Sequence, residues 1–173
     1  GTVSGPITLL GGGRSVLRSH VANTQIVLDG PVQGDGTLVL DSIYAQVHVQ
    51  TALAHTGDTV IYSDSWLNPS YGRGIYFNST QAFGGNLVME GGILFNDAPN
   101  AVPNLIMKDG RVAGSAPLTV ANPVLNIQAG EIDIPGGLVG IQHIVKTGMD
   151  EGKLLDLGAH ISPTVEVQAG RLG

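Results

Sequence analysis

The sequence predicts an all-β solenoid, a stack of strand-built coils, and three observations lead to it. Glycine is abundant, 26 of 173 residues, with 9 prolines and no Gly-X-Y period, so the chain turns often and tightly without being collagen. Helical spacing is nearly absent, and short period-2 runs stand in its place: Val47-His48-Val49, Leu125-Asn126-Ile127, Ile132-Asp133-Ile134 and Val165-Glu166-Val167. An eight-residue pattern also recurs: apolar, any, apolar, polar, any, Gly, any, apolar.

Its copies run from Leu87 to Leu94, Leu105 to Val112, Leu125 to Ile132 and Val165 to Leu172. A degenerate copy, His143 to Gly148, fills the gap, and Ile7 to Gly12 looks like an upstream member. Copies start about every 20 residues, shorter than a helical repeat pair and the length of one solenoid coil. Each coil then has two or three strands joined at glycine corners, and its inward side chains stack on those of the next coil. About eight coils of roughly 20 residues fill the chain as a single domain, 1–173. The pattern predicts an inward ladder of Leu87, Leu105, Leu125 and Val165 with Met89, Met107, Ile127 and Val167. A glycine-rich sandwich would also give short strands, but it has no reason to repeat the whole signature in phase.

Residues 62–84 lack the signature and read as an irregular loop or coil. Six of the chain's aromatics fall there: Tyr62, Trp66, Tyr71, Tyr76, Phe77 and Phe83. Flat rings on a loop suit sugar or protein contact, which makes Trp66, Tyr71 and Tyr76 the expected ligand or partner contacts. The competing reading places Tyr76 and Phe77 in a strand that covers the solenoid.

Charge and composition narrow the partners. The net charge is −6, with 8 Lys+Arg dispersed along the chain, so nucleic acid and anionic membrane surfaces are excluded as expected partners. No stretch reaches the roughly 18 apolar residues of a membrane span. The absence of cysteine removes disulfides, thiolate metal sites and thiol nucleophiles, and suits an exported chain.

No catalytic, metal or cofactor site is expected. His20, His48, His55, His143 and His160 show no metal-ligand spacing. His48 alternates outward between two valines. Asp35 and Asp58, 23 residues apart, could face each other on adjacent coils as a glycosidase pair. Each sits in a Gly-Asp turn, however, where aspartate serves the local backbone.

Two stretches carry a family resemblance. Gly34-Asp35-Gly36-Thr37-Leu38-Val39-Leu40 followed by His55-Thr56-Gly57-Asp58-Thr59-Val60-Ile61 resembles the autotransporter-associated β-strand repeat. Ile144-Val145-Lys146-Thr147-Gly148 with Gly152 to Gly158 is similar to that family's opening, and Thr164 to Leu172 to its close. Residues 62–104 match it poorly. The resemblance implies a right-handed parallel β-helix in a passenger displayed at the bacterial outer surface or secreted. The expected function is a non-enzymatic stalk, adhesin or fibre module that meets a glycan or a host or cell-surface protein. The alternative is a β-helical polysaccharide lyase or glycosidase, or a carbohydrate-binding module. The chain starts and stops in mid-pattern, so self-association or continuation end to end through the terminal coils is also expected.

Overall fold

The computed structural model describes residues 1–18, 21, 23–43, 45–63, 74–158 and 163–173. Its strands, in chain order, begin with β1 (Thr2–Val3), β2 (Ile7–Leu9), β3 (Arg14–Arg18), β4 (Thr24–Leu28), β5 (Val32–Gly34), β6 (Thr37–Asp41) and β7 (Ala45–Val49). The middle of the chain gives β8 (Thr59–Tyr62), β9 (Gly74–Phe77), β10 (Gln81–Ala82), β11 (Leu87–Asn96), β12 (Asn100–Val102) and β13 (Leu105–Ala113). The remainder are β14 (Leu118–Val120), β15 (Val124–Ile127), β16 (Gly130–Asp133), β17 (Leu138–Val139), β18 (His143–Lys146), β19 (Glu151–Asp156), β20 (Thr164–Val167) and β21 (Arg171–Leu172).

Every pairing is parallel, between strands one turn apart. The described residues hold no helix, and the strands wind into a solenoid of about seven turns. A first face stacks β3, β6, β8, β11, β13, β15, β18 and β20. A second face runs from β1, β4, β7 and β9 through the far halves of β11 and β13 to β16, β19 and β21. The third face holds β2 with β5 and, farther along, β10, β12, β14 and β17.

Glycine makes the corner between the first two faces. Gly92, Gly110 and Gly130 stack there with φ of 73°, 90° and 96°. A Cβ on Gly130 would stand 2.3 Å from the Gly110 carbonyl oxygen. The recurring glycine of the sequence pattern is therefore required by both backbone angle and close approach between turns.

The inward ladder forms as the pattern predicts over most of its length. Leu87, Leu105, Leu125, Met89, Met107 and Ile127 are all buried in one continuous core. Val165 and Val167 hold the same columns but are each 50% exposed, because no described layer covers them. The degenerate copy is a correction. Ile144, not His143, aligns with Leu125, and Lys146, not Val145, aligns with Ile127. A one-residue slip exchanges the faces of a strand, and a lysine in the core cannot be read from a pattern that assigns polar residues outward.

Residues 62–84 are described only in part. β9 and β10 within them are ordinary members of the stack, as the strand reading of Tyr76 and Phe77 expects, and β9 turns Ile75 and Phe77 into the core. Trp66 and Tyr71 lie outside the described residues.

The buried amides of Gln81, Asn96 and Asn100 are bonded to one another and to the backbone. The Asn100 amide donates to Asn96 Oδ1 at 2.6 Å and accepts from the Gln81 backbone N–H at 2.6 Å. Asn96 donates onward to the Ala116 carbonyl at 2.9 Å, and Gln81 Oε1 accepts from the Leu53 N–H at 2.9 Å. This amide chain links the second face to the third, as a buried polar network must if it is to be tolerated.

Candidate interaction surface

The strand register that builds the stack also aligns the outward side chains. His48 on β7, Tyr76 on β9 and Phe95 on β11 are paired in register. Adjacent strands lie about 4.8 Å apart, so flat rings at matched positions stack. The ring centroids are 4.6 Å apart at both steps, with interplanar angles of 5° and 13°. His48 is held by the Asn78 and Gln46 side-chain amides, at 2.8 and 3.2 Å from its two ring nitrogens. Phe95 lies over the bare backbone of Gly74, whose Cβ would stand 2.7 Å from the ring.

Tyr76 thus has both ring faces occupied and is half-buried. Burial first, and then the negative charge of Asp97, push its phenol pKa above the ordinary value. His48 points outward as the sequence implies, and its stacking on Tyr76 follows from a pairing that sequence alone did not supply.

A second feature is a run of ion pairs between turns, most of them neighbours. Glu90 accepts from Arg14 and Lys108, each at 2.9 Å. Arg111 donates to Asp133 at 2.5 Å, Lys153 approaches Glu131 at 3.3 Å, and Arg171 approaches Glu151 at 3.5 Å. Arg18 donates to the buried Asp41 at 2.6 Å. Burial works against the Glu90 carboxylate, but its bonds to Arg14 and Lys108 prevail and hold its pKa below the ordinary range. Every described arginine and lysine except Lys146 faces a carboxylate, so the described surface carries no free basic patch of the kind a polyanion needs.

The third feature is an open groove of about 380 Å³ at the glycine corner, lined by Lys108, Asp109, Gly130, Glu131, Glu151 and Lys153. Glycine leaves the space and the charged ladder borders it. Among the described residues, no three His, Asp or Glu side chains gather as a metal site would require. Of the two aspartates considered as a catalytic pair, Asp58 accepts from the Asn86 N–H of the next turn at 3.2 Å, and the Asp35 carboxylate packs on Gly11 of the preceding turn, whose Cβ would meet it at 2.7 Å.

Sequence reasoning missed an asparagine ladder at the corner between the third and first faces. Asn104 donates to Asn86 and Asn122 donates to Asn104, both at 2.7 Å. The signal was present: Asn86, Asn104 and Asn122 recur every 18 residues, just before the strands of the first face.

No model of a known protein family matches the chain, and neither curated proteins nor solved structures provide a match.

Proposed function

We propose that the chain is a non-enzymatic structural and adhesive segment of a surface-displayed or secreted bacterial protein, comparable to the stalk of an autotransporter passenger. One observation carries this reading. The outward polar side chains are spent on one another from turn to turn, in ion pairs and asparagine bonds that stiffen a rod. A repeat that uses its polar surface this way offers length and rigidity. Contacts come from aromatic side chains, Tyr76 of the stacked column together with Trp66 and Tyr71, toward a glycan or a cell-surface protein. End-to-end association adds layers at the outer strands, where Val165 and Val167 are half exposed.

The experiment is a binding screen of the purified chain on a glycan array and on intact cells, beside a Trp66→Ala/Tyr71→Ala variant of unchanged thermal stability. Binding that the double variant loses supports the contact assignment, and equal binding by both removes it. Sedimentation velocity over a concentration series tests the end contacts. An elongated species that grows with concentration is expected, and a monomer at every concentration contradicts it.

A carbohydrate-active enzyme is the second reading, favoured by the groove at the glycine corner with its carboxylates and lysines. Release of reducing ends from acidic polysaccharides, lost in Glu131→Gln, would establish it over the first.

A further inference from the structure

Lys146 is fully buried, and nothing in the surface described above uses it. It stands in an inward column after Met107 and Ile127 and before Val167. Its Nζ donates to the Gln128 carbonyl, one turn back, at 2.7 Å and to the Gly148 carbonyl in its own turn. None of the ion pairs among the described residues includes it.

Two glycines make its seat. A Cβ on Gly152 would stand 3.2 Å from Lys146 Cε, and one on Gly170 would stand 2.9 Å from Nζ. Gly170 belongs to the next turn, so the ammonium lies at the seam between the turn of β18 and the turn of β20. A cation held this way loses several kcal/mol of hydration, and two carbonyl bonds restore only part of it. The preceding seams of this column, Met89 to Met107 and Met107 to Ile127, set apolar side chains against one another. Parting the turns at Lys146 returns water to a charge, a gain that those seams lack.

We propose that this seam is an opening point built into the solenoid. Residues 164–172 separate there from the turn of β18 and β19 while the earlier turns stay closed, and Lys146 sets how readily they do so. The ion pairs that cross the seam are weak clasps, His143 to Glu166 and the largely exposed Arg171 to Glu151, each at 3.5 Å, beside a 2.6 Å contact between the His143 ring and the Thr164 hydroxyl. Methionine matches the lysine stem in length and shape without its charge. The two freed carbonyls sit at a corner where Gln128 is exposed and Gly148 half-buried, within reach of water.

Native-state hydrogen exchange on the whole chain, in water and at low denaturant, tests this. Wild-type amides of Thr164 and Gln168, which donate across the seam to the Gln142 and Lys146 carbonyls, are expected to exchange through an opening with a shallow denaturant dependence, distinct from global unfolding. Lys146→Met should slow them about tenfold or more, with the amides of 105–127 unchanged. Exchange of Thr164 and Gln168 only through global unfolding, or unchanged or faster exchange in the variant, would overturn the proposal. If Lys146→Met fails to fold, Lys146→Leu is read by the same criterion.

Discussion

Ile127 and Val167 occupy the same inward column, yet one is buried and the other half exposed. Truncating Ile127 to Ala leaves a cavity closed by turns on both sides and should cost about 2–5 kcal/mol in denaturant unfolding. Val167→Ala should cost clearly less, because its side chain has a neighbouring layer on one side only. His55 provides the titration test. It is buried at a corner, with Nε2 3.1 Å from the Thr59 hydroxyl. Burial lowers its pKa, and the attraction of Asp58 opposes that without reversing it. The folded chain therefore resists a proton that the unfolded chain accepts at about pH 6.5. Its contribution is full above that value and is lost as the pH falls from there to the lowered folded pKa, with a slope of at most about 1.4 kcal/mol per pH unit. His55→Gln should flatten the stability profile in that window, and an unchanged profile would show that His55 does not set it.

Strands and corners show how far the sequence could be read. The Leu87, Leu105 and Leu125 copies were legible because three signals coincide in each: aliphatics at period 2, a polar residue after them, and a glycine at the corner. β18 failed in register because its inward pair is Ile144 and Lys146, and a buried lysine looks like a surface residue in any binary pattern. β9 was legible in part: Tyr76 and Phe77 were read as strand residues, but the inward pair Ile75 and Phe77 was not picked out, since adjacent aromatics point to opposite faces. The buried amides were illegible too, because Asn96 and Asn100 resemble loop residues until the second and third faces are folded together. Asn100→Ala should cost about 1–3 kcal/mol by leaving the Gln81 N–H and Asn96 Oδ1 without their partner. Thermal unfolding of this variant beside Asn122→Ala, whose amide is exposed, separates a buried network from a surface ladder. Equal losses in the two would contradict the assignment.

Across the whole molecule, each strand is bonded only to the turns before and after it, so energy passes from layer to layer. Arg14 is an exception, reaching from β3 to Glu90 on β11 across the intervening β6 and β8. A nearest-neighbour stack has no central core whose loss is felt everywhere, and its stability is close to a sum over turns and seams. Ile127→Ala should therefore loosen the stack unevenly. Its column touches Met107 on one side and Lys146 on the other, and the far turns of β4 and β7 share no contact with it. Hydrogen exchange of this variant should rise first at Ile106, Met107 and the β15 and β18 amides, while Ile26 and Val47 keep wild-type protection at low denaturant. Arg14→Ala makes the complementary test. It removes the tie that joins the early turns to Glu90, yet an ion pair this exposed contributes only about 0–1 kcal/mol. The variant should thus leave the exchange pattern nearly unchanged. A uniform rise across all turns in Ile127→Ala would mean that the chain unfolds as one cooperative unit, and the layer-by-layer account of its stability would be wrong.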